Sequence, residues 1–127
     1  MTHPNGKTRK VVAGLVREQD LGPIQESLLS TDVVLTHASD VADAANMPAA
    51  VVLLDADVYL WQAAVDQIRD QKPWVRVVLV SQRVDVRMWK DALNGGAYDM
   101  VSKPFHAREL RSVLLGALDV RTMSRAA

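Results

Sequence analysis

Four stretches of the chain are apolar without alternation: VVAGLV (Val11 to Val16), VVLT (Val33 to Thr36), AAVVLLD (Ala49 to Asp55) and VRVVLVSQ (Val75 to Gln82). MVS, just before Lys103, makes a weaker fifth. A strand with one wet face alternates apolar and polar residues, whereas an unbroken Val/Leu run suits a strand covered on both faces, the habit of parallel sheets. Parallel neighbours need long crossovers, and the segments between the runs have helical spacing. Leu110, Val113, Leu114, Ala117 and Leu118 fall on one stripe, as do Trp61, Ala64, Val65 and Ile68. Trp89, Ala92 and Leu93 form a shorter stripe, predicting three core-facing side chains, and Asn94, Gly95 and Gly96 supply left-handed residues to end that helix. Gly22-Pro23 reads as a helix start with Ile24, Leu28 and Leu29 inward. Ser39 to Met47 reads as a short helix capped by Ser39 or Asp40. Strand and helix alternate five times, predicting an α/β fold: a doubly wound (βα)5 unit with a five-stranded parallel sheet.

The length, 127 residues of which 49% are apolar, suits one domain, placed at residues 9–120 with flexible ends at 1–8 and 121–127. Lysine plus arginine and aspartate plus glutamate balance at 15 each, which gives no field to gather nucleic acid or an anionic membrane. The absence of cysteine removes disulfides, thiol catalysis and cysteine-ligated zinc. No apolar run reaches the roughly 18 residues of a membrane span, so a soluble, cytoplasmic protein is expected. His3, His37 and His106 lack metal-ligand spacing, and no nucleophile elbow or cofactor fingerprint occurs, so an enzyme is not expected.

Ligands of open parallel sheets bind beyond the carboxyl ends of the strands. The third run ends on Asp55, the fourth reaches Ser81 and the fifth reaches Lys103. Taken singly, each has a plainer reading as a turn or solvated strand-end residue. Delivered together, a carboxylate, a hydroxyl and an ammonium suit phosphoryl chemistry: the carboxylate attacks phosphorus, and the other two hold the phosphoryl oxygens as charge builds.

From about Lys10 to Leu118 the chain resembles the receiver domain of two-component response regulators. VVLLD matches the family's acceptor strand and VVLVS its hydroxyl-bearing strand. GGAYDMVSKPF, with the L-x-x-x-L helix after it, matches the family's last strand and helix. The resemblance implies a flavodoxin-like receiver fold, Asp55 as phospho-acceptor, Ser81 as switch hydroxyl and Lys103 as the phosphoryl-contacting lysine. It also implies Mg2+, for which Glu18, Asp55 and Asp57 are the candidate ligands with Asp20 nearby, and a histidine kinase or phosphotransfer protein as donor. The implied output surface, the fourth helix, fifth strand and fifth helix, would bear Arg87, Lys90, Arg108 and Arg111 and serve a partner or a homodimer. A degenerate pseudo-receiver, binding partners without phosphorylation, is the alternative.

Several residues depart from the family pattern. Members carry two adjacent acids directly after the first strand; this chain reads VREQD, with Arg17 at or beside those positions. An arginine there can repel a metal ion or supply part of its charge. Gln82 replaces a small residue after the hydroxyl, and ADVYLW follows the acceptor where Pro and Gly are usual. The aromatic switch position is Met100, and strand alternation places Tyr98 on the same face as Met100.

Overall fold

The computed structural model describes residues 10–119; the expectations for the two ends, for His3 and for Arg121 lie outside them. Five strands, β1 (Lys10–Leu15), β2 (Val33–His37), β3 (Val51–Asp55), β4 (Arg76–Ser81) and β5 (Asp99–Ser102), alternate with five helices. The helices are α1 (Glu18–Ser27), α2 (Val41–Asn46), α3 (Trp61–Gln71), α4 (Val86–Asn94) and α5 (Ala107–Ala117). All strand pairs are parallel and the order is β2-β1-β3-β4-β5. Strand order reverses at β1 and β3, and the crevice there is where such sheets bind ligands.

The unbroken apolar runs are explained by the layers. Every residue of β3 and β4 is buried, because α2, α3 and α4 cover one face of the sheet and α1 and α5 the other. Val52, Leu54, Val77 and Leu79 meet Ala44, Ala64, Val65, Ile68 and Ala92 on the first face. Val51, Leu53, Val78 and Val80 meet Ile24, Leu28, Leu110, Leu114 and Ala117 on the second. Arg76 is buried at the start of β4, its guanidinium 4.8 Å from the centre of the Tyr98 ring.

Helix ends follow local chemistry. Asp40 caps α2 by accepting the Asp43 N–H at 2.7 Å, and the Asp43 carboxylate accepts the Ser39 N–H at 2.8 Å. Asp85 caps α4 by accepting the Met88 N–H at 2.8 Å. Gly96, at φ +101°, is the single left-handed residue after α4; Asn94 closes the helix and Gly95 has φ −84°.

Four expectations are corrected. Leu29, expected inward, lies past the end of α1 at Ser27 and is 66% exposed. Helix α1 begins at Glu18 rather than at Gly22-Pro23, so Pro23 lies inside it. A proline near the start of a helix removes one backbone donor, here the partner of the Gln19 carbonyl, and Gln19 borders an open cleft where water can reach it. Trp89 is 41% exposed rather than core, its indole N–H donating to Asp99 of β5 at 3.3 Å. Tyr98 does not share a face with Met100. The strand begins only at Asp99, and the Tyr98 ring packs with the α1/α5 side while Met100 packs with the α2–α4 side.

Candidate functional site

The register brings Asp55, Ser81 and Lys103 to one edge. Asp55 pairs with Val80, Ser81 pairs with Ser102, and the Lys103 N–H donates to the Ser81 carbonyl at 2.9 Å. The three residues therefore follow one another by single register steps along the carboxyl edge of β3, β4 and β5. The Lys103–Pro104 peptide bond is cis.

Asp55 is fully buried, which would be costly for a lone carboxylate. Its charge is met from several directions. Oδ1 accepts the backbone N–H of Asp57 at 2.8 Å, and Oδ2 accepts from the Lys103 ammonium at 2.7 Å. Arg17 Nε stands 3.9 Å from the same Oδ2. Lys103 also donates to Asp20 Oδ2 at 3.1 Å, so one buried ammonium joins an acid from β3 to an acid from α1. Burial alone would lower the Lys103 pKa, but the hydrogen bonds and charges of Asp55 and Asp20 outweigh it and hold the group above its ordinary value. Stability drawn from this ammonium is thus present across neutral pH and is lost only as pH climbs through that raised value.

Ser81 is fully buried, and its hydroxyl donates to Asp57 Oδ1 at 2.6 Å. The second Asp57 oxygen accepts the Gln82 N–H at 2.8 Å. Burial works to raise the Asp57 pKa, yet the bonds from Ser81 and Gln82 and the nearby cations Lys103 and Arg17 leave it below its ordinary value. The Asp57 side chain thereby ties the loop after β3 to the loop after β4, beside the acceptor.

Of the acids predicted to hold Mg2+, Asp55 and Asp57 lie side by side, but Glu18 does not join them. Glu18 is the first residue of α1 and is exposed, with no hydrogen bond or ion pair among the described residues; Asp20, two residues on, is the acid that turns toward Asp55. Helix phase decides this, and the linear spacing of VREQD does not reveal it. Receiver domains typically bind Mg2+ at an acidic pocket. Mg2+ requires a near-octahedral set of oxygens, normally one or two carboxylates with waters. Here the facing oxygens of Asp20 and Asp55 converge on an ammonium, the Asp57 carboxylate is turned to Ser81 and Gln82, and the Arg17 Nε stands 3.9 Å from Asp55. Among the described residues no three acidic or imidazole groups are arranged to hold a metal ion. The residues present do not fit a Mg2+ site.

A cleft of about 600 Å³ opens beside these groups, lined by Gln19, Asp20, Pro23, Gln82, Lys103 and Phe105, among others. Lys103 forms part of its wall.

A family model described as the response regulator receiver domain matches residues 27–115, and the chain belongs to this family. The fold is accordingly the flavodoxin-like receiver fold, and the family's setting is two-component signalling. Among curated proteins, the alginate biosynthesis transcriptional regulatory protein AlgB of Pseudomonas syringae pv. tomato is 40% identical over 58 residues, 46% of this chain and 13% of that protein. AlgB of Pseudomonas putida is 38% identical over 58 residues, with the same coverage. The matched stretch is thus a small part of these relatives.

Among solved structures, a response regulator from Thermotoga maritima aligns with TM-score 0.77 and 17% identity over 87% of this chain and 98% of that one. NtrX from Brucella abortus, in complex with ATP, aligns with TM-score 0.75 and 23% identity over 94% of this chain and 29% of that one. Identities this low establish a shared fold.

Proposed function

We propose that Asp55 accepts a phosphoryl group from the phosphohistidine of a histidine kinase or phosphotransfer protein, and that the pocket's state is read at the surface of α4, β5 and α5. The observation that carries this is the 2.7 Å contact between the Lys103 ammonium and Asp55 Oδ2, at the crevice where strand order reverses. Lys103 can follow a phosphoryl oxygen added to that atom, and its backbone is tied to Ser81, so a shift there moves the end of β5. Trp89 then links β5 to α4 through Asp99, next to the exposed Val86. A partner or a second copy of the chain reads that face.

A second reading, a receiver that works without phosphorylation, is favoured by the Ser81 hydroxyl donating its hydrogen bond to Asp57 and by the complete burial of Asp55. Incubation with acetyl phosphate, followed by intact-mass measurement, separates the two. The acceptor reading expects one labile phosphoryl group per chain that Asp55→Asn abolishes. An unlabelled wild-type protein points to the second reading, and a label that survives Asp55→Asn overturns Asp55 as the acceptor.

A further inference from the structure

Arg17 occupies the N-cap of α1, a position where a short polar or acidic side chain would satisfy orphan N–H groups and suit the positive end of the helix. Its side chain makes no capping bond, so helix formation does not explain the arginine. The guanidinium instead lies over the acceptor: Nε is 3.9 Å from Asp55 Oδ2, with the side chain 42% exposed. Among the described residues it makes no hydrogen bond, so its donors are not committed to another group of the protein. Lys103 reaches the same oxygen from inside at 2.7 Å. A group bonded to Oδ2 would therefore sit between an ammonium and a guanidinium, and a guanidinium fork matches the oxygens of a phosphoryl group. A divalent cation brought to the same place would face both fixed positive charges, while Asp20 and Asp55 are already engaged by Lys103 and Asp57 by Ser81 and Gln82.

We propose that Arg17 takes the place of the divalent cation, so that phosphoryl transfer to Asp55 proceeds without a metal ion; this rests on the acceptor reading. In the step, Asp55 Oδ2 forms a bond to phosphorus while the bond from phosphorus to the donor breaks. The donor is a phosphohistidine, a phosphoramidate, or acetyl phosphate, an acyl phosphate. The electron pair of the broken bond stays on the leaving imidazole nitrogen or acetate oxygen, and the imidazole is protonated from solvent. Nothing is oxidised or reduced. Arg17 and Lys103 bind the phosphoryl oxygens as negative charge accumulates on them.

The full chain is titrated with MgCl2 by calorimetry, and separately labelled with acetyl phosphate in EDTA and in Mg2+. The expected results are no Mg2+ binding through the millimolar range and equal labelling rates in the two buffers. Arg17→Ala should label about 100-fold more slowly, Arg17→Lys should recover part of the rate, and Arg17→Asp should bind Mg2+ and label only when it is present. Saturable Mg2+ binding by the wild type, or labelling that requires Mg2+, overturns the proposal while leaving Asp55 as acceptor. No labelling in either buffer overturns the acceptor reading and this step together.

Discussion

Lys103→Met is expected to slow labelling of Asp55 by acetyl phosphate by about 10²- to 10³-fold, the usual cost of removing one preorganised donor from a site of developing charge. The ammonium is the group best placed to act this way. It is almost wholly buried, 2.7 Å from the acceptor oxygen, and its backbone is fixed to β4 through Ser81. Burial matters because the same charge in water would be worth far less. Intact-mass time courses on the wild type and Lys103→Met read the effect. A variant labelled within a few-fold of the wild-type rate would show that Lys103 is a structural ion-pair partner alone.

The same contact should dominate the stability of this end of the sheet. Lys103→Met leaves a fully buried Asp55 carboxylate with only the distant Arg17 and one backbone N–H, and breaking a buried pair in this way costs about 3 kcal/mol. For a domain of this size that corresponds to a fall in Tm of roughly 10–20 °C. Asp55→Asn should cost less. Asparagine keeps an oxygen for the Asp57 N–H, and Lys103 retains Asp20 at 3.1 Å. The double variant should be more stable than Lys103→Met alone, because the orphaned charge is gone, and the non-additivity measures the pair. Urea unfolding of all four proteins tests this; equal losses in the two single variants would mean that water or Arg17 compensates Asp55 fully.

The architecture was legible because burial on both sides of a sheet leaves a mark in the chain: β3 and β4 are buried at every residue, and their Val/Leu runs do not alternate. Asp55, Ser81 and Lys103 were legible for a related reason. Each is the polar residue at which an apolar run stops, and parallel register carries those stops to one edge. What escaped depends on rotation rather than order. Asp20 enters the pocket and Glu18 leaves it because α1 starts four residues before the Gly22-Pro23 pair that marks a helix start in sequence, and the turn from 18 to 20 selects the acid. Asp57 stands in the sequence as a candidate Mg2+ ligand, but its bond to the Ser81 hydroxyl arises from loop conformation, which spacing does not encode. Trp89 lies on an apolar stripe and still faces outward in part, because the indole N–H finds Asp99 at the edge of the sheet. Period-two reasoning failed at Tyr98 because the strand had not yet begun there.

The most direct measurement is a backbone amide NMR titration with beryllium fluoride, which bonds a carboxylate oxygen as a phosphoryl mimic, run on the wild type and on Asp55→Asn, with Mg2+ and without it. One anion held jointly by residues far apart in the chain should move the amides of Asp57, Ser81, Gln82 and Lys103 together in the wild type and none of them in Asp55→Asn. Shifts confined to one of these segments, or unchanged by Asp55→Asn, would mean that the three strand ends do not form a single anion site.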